Sequence, residues 1–202
     1  MRSLEIAALV LGVGMSFDAL AATAAEPLPL PAVDYRVRAK APQGSQIDVA
    51  HHEGRLRMDV SNEVLLGTMT GLVDLGQSEV VFIVAVPGMD TIAVRTTLPT
   101  GYSFADAARE GTRAGADKVA GEPCDLWQVA VKAGQGPLES CITSDGIVLR
   151  STAVVDGKPT VIFEALELER AAQDPARFAL PKGVKVNKLP ASMLGLLPGF
   201  SR

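Results

Sequence analysis

Apolar residues recur at every second position through much of this chain, and that period admits β-strands and little else. From Val33 to Lys40, Val33, Tyr35, Val37 and Ala39 alternate with Asp34, Arg36, Arg38 and Lys40. An extended segment of this kind has one apolar face and one charged face. After a turn-rich break at Ala41 to Ser45 the alternation resumes at Ile47 and Val49, turns at Glu53-Gly54, and returns as Leu56, Met58 and Val60. Folding the chain at Glu53-Gly54 sets Val49 against Met58 and Ile47 against Val60. Both apolar sets then share a face, which predicts a hairpin. The same register puts His51 opposite Leu56 on the inner face and His52 opposite Arg55 outside.

The stretch from Val64 to Leu75 is apolar and broken by Gly67 and Gly71, as in a strand with a bulge or bend. Val80 to Val86 is a continuous apolar run ended by Pro87-Gly88, and Thr91 to Thr97 follows as a short alternating strand. An unbroken run predicts a strand covered on both faces. The candidate cover is a helix from Ser103, as its cap, to Glu110, stopped by Gly111. A short helix between strands is more often a connector than a lid.

Along Cys124 to Val131 the positions of Asp125, Trp127, Val129 and Val131 share one face and Cys124 lies on the other. In Leu138 to Thr143 the apolar face is Leu138, Ser140 and Ile142, with Cys141 opposite. A Cys124–Cys141 bridge between adjacent strands therefore acts as an external staple and sets Trp127 across from Leu138. That register centres the turn on Lys132-Ala133, whereas the turn residues are Gly134 and Gly136, so a longer loop or a bulge is expected. Asp145-Gly146 then pairs Ile142 with Leu149, and Asp156-Gly157 pairs Ser151 with Ile162. The last register turns Glu164 inward, opposite Leu149. An unpartnered buried carboxylate is costly, so either a polar neighbour receives it or a longer loop turns it outward, and the second is favoured. Ala165 to Ala172 is rich in helix formers, and helix stays open beside strand.

The first residues carry Arg2, an apolar run from Ile6 to Phe17, and small residues before Glu26. This pattern is that of a secretory signal over 1–25, with Ala24 or Ala22 as alternative cut positions. The run is too short for a membrane span of roughly 20 residues, and the other reading is an N-terminal helix of the mature chain. Cutting there removes Arg2, Glu5 and Asp18, which leaves the formal charge of −4 one unit less negative. Clustered Lys and Arg are absent, against a nucleic-acid or anionic-membrane partner. About 177 residues remain, one domain's worth. Two cysteines in an exported chain are most simply one disulfide. The other reading, a metal site, lacks further ligands, because His51 and His52 point to opposite faces.

No G-x-S-x-G, H-E-x-x-H, P-loop or dinucleotide fingerprint occurs; Gly134-Gln135-Gly136 lacks the rest of the last pattern. The cysteines are not spaced as C-x-x-C. An enzyme is therefore not expected, and no cofactor is implied.

Val119-Ala120-Gly121, Pro123-Cys124, Cys141, Asp145-Gly146-Ile147-Val148-Leu149 and Phe178-Ala179-Leu180-Pro181-Lys182-Gly183 resemble a family of exported bacterial proteins of unknown function. That family is similar to the LolA/LolB lipoprotein-carrier fold. The segment Arg57-Met58-Asp59 through Leu72-Val73-Asp74 to Val80–Val86 fits the same strand order. The resemblance implies a mainly β, α+β fold: a bent antiparallel sheet, or open half-barrel, with one short helix over the concave face. The resemblance covers roughly residues 33 to 185, and the half-barrel domain is expected over 26–190, followed by an apolar tail at 191–202.

Three functions follow. The first expectation is a soluble periplasmic binding protein or carrier for a lipid or other apolar ligand. Its cavity is lined by Trp127, Val129, Ile142, Leu149, Phe82 and Val84. The second is an envelope assembly or scaffold protein that binds another protein through the tail. The third, an enzyme, requires a polar cluster around Glu164 or His51.

Overall fold

The computed structural model describes residues 24–61, 68–77, 79–85, 87–88, 90–97, 110–129 and 137–188. The leader up to 23, residues 103–109 of the helix expected over Ser103 to Glu110, the expected turn at 132–136 and the tail at 191–202 lie outside the described residues, while Glu110 and Gly111, the expected end of that helix, are strand. The first half contains β1 (Glu26–Pro27), β2 (Tyr35–Lys40), β3 (Gln46–His52), β4 (Arg55–Ser61), β5 (Thr68–Asp74), β6 (Glu79–Ala85) and β7 (Ile92–Thr97). The second contains β8 (Glu110–Val119), β9 (Glu122–Val129), β10 (Leu138–Ile142), β11 (Val148–Val155), β12 (Lys158–Glu169) and β13 (Val186–Lys188). Among the described residues the only helical segments are 3-10 turns at Pro42–Gly44 and Pro175–Phe178.

All these strands join one open, bent sheet in the order β1-β8-β9-β10-β11-β12-β2-β3-β4-β5-β6-β7-β13. Neighbouring strands are antiparallel except β13, which pairs in parallel with β7. The Glu53-Gly54 hairpin has the register the alternation predicts, with Ile47 opposite Val60, Val49 opposite Met58, and His51 opposite Leu56. One large cluster joins Val37, Val49, Val73 and Phe82 of the first half to Leu149 and Phe163 of the second. The bend lets one sheet supply both walls of its own core.

Three registers differ from the sequence expectation. A bulge at Ser151/Thr152 pairs Ser151 with Phe163 rather than Ile162. One extra residue inverts strand parity, so Glu164 turns outward and meets Lys40 at 2.8 Å. The outward orientation is the favoured one, reached by a bulge instead of a longer loop. A second bulge, at Cys141/Ile142, pairs Ile142 with Val148 and removes Leu149 from the Trp127 cluster. Ala165 to Glu169 is strand, because pairing with β2 outweighs helix propensity.

The cysteines are bonded, and they do lie on the face opposite Trp127, but the bridge is no external staple. Cys124 is 5% and Cys141 1% exposed, and both belong to the main core cluster. Asp117 faces Cys124 across β8–β9, Arg150 faces Cys141 across β10–β11, and these two side chains form an ion pair. Trp127 faces Ser140, not Leu138.

The cover over β6 comes from the C-terminus. Val81, Ile83 and Ala93 are buried under Leu180, Val184 and Val186. This strap is anchored by Arg57, whose guanidinium donates to the Arg177 carbonyl at 2.8 Å, and by Asp34, which accepts the Gln173 N–H at 3.1 Å. Its sequence carries no period that announces where it docks.

Candidate functional site

The first-half strands carry three rows of side chains across the inner face, each fixed by strand register. The first, Tyr35, His51, Leu56, Val73, Val80 and Thr96, is buried throughout. In the second, Val37, Val49, Met58, Gly71, Phe82 and Val94, Met58 and Val94 are half-buried. The third runs Ala39, Ile47, Val60, Met69, Val84 and Ile92, and opens progressively. Ala39 is 2% exposed, the next four are half-buried, and Ile92 is 52% exposed. At about 4.8 Å between strands, the band from Ile47 to Ile92 is about 19 Å long. It is an apolar lip on an otherwise closed core.

The structure distributes the six sequence-expected ligand residues over three settings. Trp127, Val129 and Ile142 are buried in a second cluster against Leu28 and Val148. Leu149 and Phe82 are in the main cluster. Val84 alone stands in the half-open row. Ile47, Val60, Met69 and Ile92 were not singled out by sequence, although alternation already put Ile47 and Val60 on the inner face. Their common row becomes visible only when the registers of five strands are known together.

His51 and His52 have structural partners. The His51 ring stacks on Tyr35 at 5.4 Å, and its Nδ1 lies 2.8 Å from the Val33 carbonyl. Its Nε2 accepts the Gly54 N–H at 3.1 Å, which assigns the proton to Nδ1. Burial also pushes the Tyr35 phenol far up. His52 Nδ1 contacts Asp34 at 2.8 Å, and this hydrogen bond holds the Asp34 carboxyl below the usual carboxylate range.

The outer face is charged and internally paired. Arg57 donates to both oxygens of Asp59 at 2.7 and 2.9 Å, and the Thr70 hydroxyl donates at 2.6 Å. Burial raises the Asp59 pKa, but these bonds outweigh it and the net shift is downward. Arg36 pairs with Asp48 and Arg38 with Glu167. A groove of about 520 Å3 at the end of these strands is lined from both faces, by Arg38, Asp48 and Asp59 of the outer one and by Ala39, Ile47 and Val60 of the third inner row. Among the described residues no group of three or more His, Cys, Asp or Glu side chains is set to hold a metal ion. No helix among them is long and apolar enough to cross a membrane.

No protein-family model matches the chain, and no curated protein matches it in sequence. Solved structures do. An uncharacterized conserved protein from Thermus thermophilus superimposes with a TM-score of 0.54 at 13% identity, over 78% of this chain and 91% of that one. PNGF-II gives a TM-score of 0.53 at 13% identity, over 80% of this chain, which spans only 32% of PNGF-II. Pseudomonas aeruginosa MucB, in its complex with MucA, gives 0.46 at 12% identity, over 77% of this chain and 58% of that one. At these identities the first two likenesses show the fold alone, an open bent sheet consistent with the half-barrel that the LolA/LolB resemblance implies.

Proposed function

We propose that this is a non-catalytic periplasmic binding or carrier protein that holds an apolar ligand, a lipid or acyl chain, along its inner lip. The half-open row from Ile47 to Ile92 carries this reading. Monomeric proteins rarely leave a contiguous apolar band uncovered without a use. Val84 stands in the row and Phe82 in the row behind it, while Leu149, Trp127, Val129 and Ile142 build the packed interior. Native mass spectrometry of the protein purified from periplasm tests the reading. A co-purifying acyl-chain mass is the expected result. An unliganded mass, both as purified and after incubation with phospholipid micelles, overturns it.

One observation favours the second reading, an assembly protein. Val154, Val155 and Val161 are 38, 45 and 41% exposed near the tip of the β11–β12 hairpin. There β12 pairs with β11 from Lys158, whereas its pairing with β2 begins only at Glu164. If this tip docks a protein, Val155→Lys with Val161→Lys abolishes a stoichiometric complex in size exclusion and leaves lipid loading unchanged.

A further inference from the structure

The outer face of β4 to β7 carries a second cleft, of about 290 Å3, under the C-terminal strap. Leu72 and Val81 form its floor, and Phe178 and Leu180 contribute from the strap. Arg55, Asp74 and Glu79 are lateral neighbours in one cross-strand row, and Leu72, Val81 and Arg95 in the next. Register alone thus gathers two cations and two carboxylates around an apolar floor.

The acids are engaged. Asp74 accepts the Gln77 backbone N–H and side-chain amide, both at 3.0 Å. Glu79 approaches Arg95 Nη1 at 3.6 Å. The cations keep donors to spare. Arg55 makes no ion pair among the described residues. Arg95 Nε is buried and has no hydrogen-bond partner among them. A buried N–H without an acceptor is costly, and folded proteins rarely keep one without a reason.

We propose that this cleft binds a small carboxylate carrying a short apolar chain. The guanidinium edge of Arg95 that includes Nε takes the carboxylate in a planar fork, and Arg55 adds a second positive group. The chain lies between Leu72 and Val81 below and Phe178 and Leu180 above. Nε is buried while the Arg95 side chain as a whole is 40% exposed, so the carboxylate approaches along the exposed end of the guanidinium, past Phe178 and Leu180. The volume is near the lower end of small-molecule sites, roughly 300 Å3, which suits a short chain and not a membrane lipid. A free alkanoate and the C-terminal residue of a peptide both supply this chemistry.

The test is an NMR titration of the whole mature protein with hexanoate, N-acetyl-leucine and hexanol. It follows the methyls of Leu72, Val81 and Leu180, the Arg95 Nε–H, and the inner-face methyls of Met69 and Ile92. Saturable shifts at the outer-face reporters are expected with hexanoate or N-acetyl-leucine. The tighter of the two tells a free acid from a peptide end. Hexanol and the Arg95→Lys variant bind at least about tenfold more weakly. If Arg95→Lys does not fold, Arg55→Gln decides, with a loss in the same direction. Equal affinity for hexanol, unchanged affinity in the folded variants, or shifts confined to Met69 and Ile92 overturn the proposal. The inner-face reading stands or falls separately, on its own reporters.

Discussion

Cys124 and Cys141 are bonded diagonally across β9 and β10, since the direct cross-strand partner of Cys141 is Leu126, two residues beyond Cys124. Their Cα atoms are 5.4 Å apart, within the ordinary range for a bridge. Closing the 17-residue separation removes loop entropy from the unfolded chain. The Cys124→Ala/Cys141→Ala double variant is therefore expected to lose about 3 kcal/mol. Both sulfurs are buried in the main cluster, so truncation adds a packing loss to the entropic one. Urea unfolding of oxidised wild type against the double variant measures the difference, and a loss well under 1 kcal/mol, on the order of a surface change, contradicts the account.

That bridge also marks how far the sequence could be read. The tight turn at Glu53-Gly54 selects one register, and alternation agrees with it because that pairing puts Ile47, Val49, Met58 and Val60 on one face. The same logic failed by a single step at Ser151/Thr152 and at Cys141/Ile142. A bulge adds one residue without changing the apolar pattern around it. Leu149 joins the main cluster instead of the Trp127 cluster for that reason, and Glu164 points outward for the same reason. The strap over Val81 and Ile83 was illegible because Leu180, Val184 and Val186 dock on strands about a hundred positions away. The inner lip was legible in part. Ile47 and Val60 were placed on its face, but their alignment with Met69, Val84 and Ile92 needed three further registers.

Gly146 and Gly157 occupy the two Asp-Gly turns with φ of +83° and +74°, and they predict unequal costs of substitution. A Cβ at Gly157 meets nothing within 4 Å, so Gly157→Ala costs only the positive-φ strain, about 1 kcal/mol. At Gly146 a Cβ would lie 2.0 Å from the Leu30 carbonyl oxygen. The neighbouring Ala32 N–H donates to the Asp145 carbonyl at 3.0 Å, so the 30–32 segment is held in place there. Gly146→Ala is expected to cost clearly more than Gly157→Ala, on the order of 2 kcal/mol or above. Equal urea midpoints for the two variants are incompatible with the close approach.

Acid should unfold the protein through its paired aspartates. Arg170 donates to Asp145 at 2.7 Å and holds that carboxyl below its ordinary range, and Asp34 is lowered by its hydrogen bond to His52. Asp59 is lowered despite burial, by Arg57 and Thr70. A depressed folded-state pKa means the unfolded chain takes up protons first. The stabilisation is complete above the unfolded value of about 3.9 and is lost as pH falls through the folded values. The urea midpoint should hold from about pH 7 to about pH 5 and drop steeply below about pH 4. Asp145→Asn lowers the neutral-pH midpoint and flattens the acid limb; an acid limb as steep as that of wild type refutes the assignment.

The inner lip gives the most direct mutational test of function, because it separates binding from folding. Met69 lies between Val60 and Val84 in the half-open row and is itself only half-buried. A lysine at this position can carry its ammonium out to water along its stem, so Met69→Lys should cost about 1 kcal/mol or less. Its charge would nevertheless lie in the middle of an apolar band about 19 Å long. A bound acyl chain would have to desolvate that ammonium, and Met69→Lys is expected to abolish the co-purifying mass. Ile92→Lys, at the exposed end of the row, should weaken binding less, since its head group stays in water. Retained acyl-chain loading in a folded Met69→Lys protein would place the ligand elsewhere, and loss of loading together with a large drop in stability would show that Met69 belongs to the core.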